Sequence, residues 1–98
     1  MNLRDYARGK HCTVRLNGCN PGPENETVVL AHAPSASKGT GIKSEDWWGA
    51  WACSNCHDVM DGRVNPGLTN KAPIWMRAIH ETQACLARDG VLEIKRPR

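Results

Sequence analysis

The sequence predicts a small α+β fold braced by a metal ion, and three observations carry that expectation. Two cysteine pairs, Cys12-x6-Cys19 and Cys53-x2-Cys56, flank the most convincing strand in the chain, Thr27 to His32. A helical pattern of apolar residues runs from Pro73 towards Gly90. Large core side chains are scarce: 40% of the 98 residues are hydrophobic, yet there is no Phe and one Tyr beside six Pro and nine Gly, so hydrophobic burial needs help. A chain of this length holds one core, and residues 1–98 are read as one domain, with a core over about 12–63 and a supporting helix over about 72–88.

Each element follows from local chemistry. Asn2 can cap a short helix that Gly9 stops. His11 to Cys19 is β-prone and turns at Asn17-Gly18, a dipeptide favoured in hairpins, which sets Cys12 and Cys19 on either side of a knuckle. After a Pro-Gly-Pro loop, Thr27-Val-Val-Leu-Ala-His32 is rich in β-branched residues and ends at His32. Residues 33–44 lack hydrophobic periodicity and read as an exposed loop. Glu45 to Cys53 brings three Trp, expected to supply much of the core area. Ser54 is a candidate cap for a short helix through Asp61, ending near Gly62. After a turn at Asn65-Pro-Gly67, Pro73 opens the longest helix, with Ile74, Trp75, Ala78, Ile79, Thr82, Cys85 and Leu86 at helical spacing and Gly90 as its stop. Val91 to Ile94 is read as a short strand before a basic tail.

Compartment decides how five Cys are used. The first ten residues are charged throughout, with no apolar stretch of the about 7–15 residues that a secretory signal needs, so a cytoplasmic protein with reduced thiols is expected. No run approaches the ~20 apolar residues of a membrane span, and no membrane partner is expected. The net charge of +3, with basic residues towards both ends, permits nucleic-acid binding without demanding it.

Cys12, Cys19, Cys53 and Cys56 supply four thiolates, the ligand set of a tetrahedral structural Zn²⁺. The two-residue spacer lets Cys53 and Cys56 converge on one ion; Cys12 and Cys19 need the Asn17-Gly18 turn. The other reading makes Cys12 and Cys19 small buried hydrophobes, the role expected of Cys85 on the long helix. Cys53-Ser-Asn-Cys56-His57 also matches the attachment sequence of c-type haem, but haem is not expected, because that reading wants export and leaves Cys12 and Cys19 unexplained. A thioredoxin-like use of the same pair lacks its βαβ surroundings.

His57 and Asp61 are four residues apart, which on a helix places both on one face, where they can share Mg²⁺ or Mn²⁺. His32 at the strand end can face them; a neutral imidazole takes a proton from water, and a cation neutralises charge on a phosphodiester. At these residues a family resemblance enters. The strand ending Leu30-Ala31-His32, the loop and the helix opening at Cys53-Ser-Asn-Cys56-His57 resemble an HNH (His-Me finger) endonuclease over about Cys12 to Arg63. The whole chain is similar to the small nucleases of lambdoid prophages of the YbcO type.

The resemblance implies a zinc-braced ββα-metal (HNH-like) core with additional supporting helices, His32 as general base, His57 as metal ligand and DNA as substrate. This chain departs from the pattern in two places. Ala31 stands where HNH strands carry a ligand just before the base, and a Trp stands where the middle Asn belongs. Either Asp61 supplies the missing oxygen, or His32 itself binds the metal and another group is the base, with Asp58 and Asn55 as further substitutes. Lys38, Lys43 and Arg63 are candidate phosphate contacts, or ordinary surface charges. The expected function is metal-dependent hydrolysis of DNA; the alternative is a non-catalytic zinc module that binds DNA or a protein partner.

Overall fold

Among the described residues five elements are ordered around one small sheet. The computed structural model describes residues 2–34, 45–63, 67 and 70–93. In chain order these form α1 (Leu3–Tyr6), β1 (Val29–His32), β2 (Gly49–Ala52), α2 (Ser54–Met60) and α3 (Ala72–Arg88). β1 and β2 pair antiparallel with Leu30 opposite Trp51 and His32 opposite Gly49. The expected α+β class is therefore present, with its second strand formed by the Trp-rich run rather than by the Cys12–Cys19 segment.

That segment is a correction. Arg15 takes a left-handed φ of 51°, which breaks an extended run, and no strand forms between Cys12 and Cys19. The Asn17-Gly18 turn does form, closed by the Cys19 N–H to the Leu16 carbonyl at 2.9 Å. Positive φ falls on Gly18 and not on Asn17, so the turn is of the kind with Gly third, not the primed hairpin turn. Three smaller corrections follow. β1 starts at Val29, not Thr27; Cys53, not Ser54, caps α2, since its carbonyl already accepts the His57 N–H at 2.8 Å; and Val91–Glu93 is no strand, the Val91 and Leu92 N–H groups both returning to the Leu86 carbonyl. Ile94, the basic tail from Lys95, Asn65 and Pro66 of the expected turn, and the loop residues 35–44 lie outside the described residues.

The remaining elements stand where their signals put them. Asn2 caps α1 through its side-chain oxygen, which accepts the Arg4 N–H at 2.8 Å. α2 closes with Gly62 at φ +84°, the Gly62 N–H to Val59 and the Arg63 N–H to Asp58, the paired bonds of a Schellman end. α3 buries Trp75, Ala78, Ile79, Thr82, Cys85 and Leu86, the expected face.

The core is built from small residues with two Trp among them: Ala7, Ala31, Ala33, Ala50, Ala52 and Ala78 are all buried beside Trp51 and Trp75. Trp48 is half-buried and Trp47 is exposed, so one of the three clustered Trp, not all, fills the centre. Small side chains let α3 approach β2 closely enough for direct polar contact. The Ala33 N–H donates to Trp48 at 2.9 Å, so by alternation Trp51 points its backbone groups away from β1. There Thr82 Oγ1 accepts the Trp51 N–H at 3.2 Å, and the Thr13 N–H donates to the Trp51 carbonyl at 2.8 Å. The outer edge of β2 is thus satisfied by a helix side chain and by the Cys12–Cys19 segment. Arg77 of α3 holds the same segment by donating to the Thr13 and Val14 carbonyls.

Candidate functional site

Four sulfurs meet where the Gly18 turn faces the start of α2. The Sγ atoms of Cys12, Cys19, Cys53 and Cys56 all lie within 4.8 Å of one another, and no cysteine is in a disulfide. Cys53 and Cys19 Sγ are 3.7 Å apart. Two sulfurs of a tetrahedral zinc site, each about 2.3 Å from the ion, stand about 3.8 Å apart, so this spacing fits a cation and is far too long for an S–S bond. Backbone N–H groups turn towards the cluster, Leu16 to Cys56 Sγ at 3.5 Å, Asn20 to Cys53 Sγ at 3.4 Å and Cys53 to Cys12 Sγ at 3.4 Å. Donors aimed at sulfur favour thiolates over thiols.

Proton affinities within the cluster diverge. Burial pushes the Cys56 thiol far up, and burial with the Cys12 and Cys53 thiols raises Cys19 to about 11. Burial acts the same way on Cys53, but the N–H groups of Cys56 and Asn20 and the thiols of Cys56 and Cys19 outweigh it and lower Cys53 to about 7. A divalent cation at this cluster would favour all four cysteines in the deprotonated form. These four cysteines could hold a metal ion, as the spacing predicted.

The two candidate histidines, His57 and His32, each pair with a different carboxylate. His57 Nε2 is 3.0 Å from Asp61 Oδ2 on one face of α2, both side chains part-buried. Arg63, 3.2 Å from Asp58 and 3.7 Å from Asp61, stands on the same helix end, so its charge is shared with two carboxylates. His32 closes β1, and its Nε2 lies 2.8 Å from Asp46 Oδ1 with the ring only 13% exposed. Among the described residues the cysteine cluster is the set of three or more possible ligands drawn together, and no third such group joins His57 and Asp61. Lys38 and Lys43 lie outside the described residues.

Asp46 was invisible to motif reading. Its signal is topological: once β1 and β2 pair with His32 opposite Gly49, residue 46 lies at the loop end beside His32. Gly49 is itself required, because a Cβ there would fall 2.6 Å from the Ala31 carbonyl oxygen. Its N-terminal neighbours are then turned back, the Trp48 N–H donating to the Glu45 carbonyl at 3.0 Å and the Trp48 indole N–H to the Pro34 carbonyl at 3.0 Å.

Comparison with known proteins fits this architecture. The family described as "Putative nuclease YbcO" matches residues 1–91. A relative of that name from Escherichia coli (strain K12) is 38% identical over 94% of this chain and 97% of its own length, and one from Enterobacteria phage 82 matches to the same extent. A solved structure, "a putative bacteriophage protein from Escherichia coli str. K-12 substr. MG1655", superposes with a TM-score of 0.66 at 32% identity, covering 91% of this chain and all of that one. With these matches running nearly end to end, the chain belongs to the YbcO family.

Proposed function

We propose that the protein is a metal-dependent endonuclease of the HNH type that hydrolyses DNA phosphodiester bonds, of phage or prophage origin, with Cys12, Cys19, Cys53 and Cys56 holding a structural Zn²⁺. The observation that carries the reading is the order β1–β2–α2, with His32 closing β1 and His57 and Asp61 joined at 3.0 Å on α2. The nuclease name of its relatives supports the same reading.

In this reading the four thiolates tie the Cys12–Cys19 segment to the start of α2, so that the helix is held against the sheet. His57 and Asp61 offer one imidazole nitrogen and one carboxylate oxygen, a set that suits Mg²⁺ or Mn²⁺ when water and phosphate oxygens complete the coordination. That cation would neutralise charge developing on the phosphate and the leaving oxygen. His32 takes a proton from the attacking water as general base, and Arg63 lies beside the carboxylates for contact with the strand. Lys38 and Lys43 are proposed as further phosphate contacts.

The test is the metal dependence of plasmid nicking. His57→Ala and Asp61→Ala should each raise the Mg²⁺ or Mn²⁺ concentration for half-maximal nicking by about 10-fold or more while zinc content stays at one per chain. Unchanged metal dependence in both would remove this pair from the site. One observation favours the alternative, a non-catalytic zinc module that binds DNA or a protein partner: among the described residues no third possible ligand joins His57 and Asp61, and Ala31 stands just before His32.

A further inference from the structure

The contact between His32 and Asp46 has a second meaning. We infer that Asp46 is a positioning residue for His32, fixing the ring with Nε2 protonated and turned to the carboxylate, so that Nδ1 is the nitrogen that accepts the proton of the attacking water. This rests on the nuclease reading, since it assigns a partner to the base of that same site.

Geometry supports it at each link. The 2.8 Å contact is short enough for a charge-assisted hydrogen bond, and the ring is only 13% exposed, so it has little room to turn elsewhere. An ionised carboxylate only accepts, so the shared hydrogen must sit on Nε2 and the lone pair of a neutral ring on Nδ1. Arg4 Nε, 3.3 Å from the same Oδ1, helps keep the carboxylate ionised. The Asp46 pKa is lowered first by the His32 hydrogen bond and then by Arg4, against the opposing effect of burial. The carboxylate is also held in place, because the 45–48 turn and the Trp48–Pro34 bond clamp its backbone to the residues that follow His32. The pair is less exposed than the Arg4 contact on the same carboxylate: Arg4 is 57% and Asp46 35% exposed, whereas the His32 side chain is part-buried.

The experiment uses the full, zinc-loaded chain. Nicking of supercoiled plasmid with Mg²⁺ or Mn²⁺ is compared for the unaltered protein, Asp46→Ala, Asp46→Asn, His32→Ala and the Asp46→Ala/His32→Ala double variant, with zinc content and melting temperature recorded for each. Asp46→Ala should lower kcat by about 10²-fold, a typical general-base contribution, with KM little changed. Asp46→Asn, which keeps the shape and an accepting oxygen, should recover part of that loss. In the His32→Ala background, removing Asp46 should have no further effect, because a residue acting through His32 has nothing left to act on. Imidazole ¹⁵N spectra supply a readout apart from catalysis: the Nε2–H tautomer of His32 in the unaltered protein, and a mixture of tautomers in Asp46→Ala.

An active Asp46→Ala beside an inactive His32→Ala would overturn the inference alone. So would an additive loss in the double variant, or a tautomer indifferent to Asp46. If Asp46→Ala melts early, Asp46→Leu, which fills the space and removes the acceptor, decides, since full activity and an unchanged spectrum there would leave Asp46 a purely structural role. Absence of nicking by the unaltered protein is a separate result, which overturns the nuclease reading and this inference with it.

Discussion

If the cysteine cluster holds the proposed zinc, extracting it should unfold this protein rather than merely loosen it. The core contains few large buried side chains besides Trp51 and Trp75, and much of the rest is Ala. A domain of this size has a net stability of about 5–15 kcal/mol. Structural zinc contributes apparent binding energies of about 10–16 kcal/mol in small zinc peptides near neutral pH, which matches or exceeds that whole margin. The four thiols come from the 12–20 segment and from Cys53 and Cys56 at the start of α2, so a bound ion would join parts of the chain otherwise tied by scattered bonds such as Asn55 Nδ2 to the Gly18 carbonyl at 2.8 Å. The assay is a melt followed by near-ultraviolet Trp signal before and after chelation, with released zinc titrated colorimetrically. One equivalent of zinc released together with loss of the cooperative transition is the expected result. At about 4–8 °C per kcal/mol for a domain of this size, even a third of a zinc contribution of about 10–16 kcal/mol would move the midpoint by about 13 °C or more. An apo-protein melting cooperatively within a few degrees of the loaded form would refute the reasoning.

Two further changes probe the packing that holds the site. Thr82→Val removes the hydroxyl that accepts the buried Trp51 N–H and makes a 3.0 Å contact with Thr13 Oγ1, so it should destabilise by about 2 kcal/mol in denaturant titrations, with Thr82→Ser close to the unaltered protein. Glu81 accepts two bonds from Arg15 at 2.6 and 2.7 Å, and its carboxyl is held below the usual range by that hydrogen bond first, with His11 assisting and burial opposing. A lowered folded pKa means stability that is present above the unfolded value of 4.5 and lost as pH falls through the folded one. The stability difference between the unaltered protein and Glu81→Gln, measured by urea titration, should therefore be largest at neutral pH and shrink as pH drops below 4.5, whereas a constant difference would contradict the assignment.

What could be read from the sequence was whatever local spacing encodes. The α3 face was legible because apolar residues recur at helical intervals between Pro73 and Gly90, and the thiolate cluster because Cys53 and Cys56 share one helix start. The His57–Asp61 contact was legible for the same reason, as a four-residue spacing on one helix. Strand identity in the Cys12–Cys19 segment was not, since β-prone residues there are overridden by the left-handed turn at Arg15, whose side chain is anchored on Glu81 far along the chain. Nor could the Thr13–Thr82 contact be foreseen, because it depends on small residues bringing α3 close to β2. Asp46 was hidden by the same kind of distance: its partner His32 lies across a loop, and only the strand register brings the two together. No described helix is long and apolar enough to cross a bilayer.

The most direct test of the central claim is cleavage of supercoiled plasmid and of branched DNA by the purified protein with Mg²⁺ or Mn²⁺, beside His32→Ala of equal zinc content. Nicking by the unaltered protein that falls at least about 10²-fold in His32→Ala, with zinc and melting temperature unchanged, is the predicted result. Equal activity in both proteins, or none in either with zinc fully bound, would contradict it.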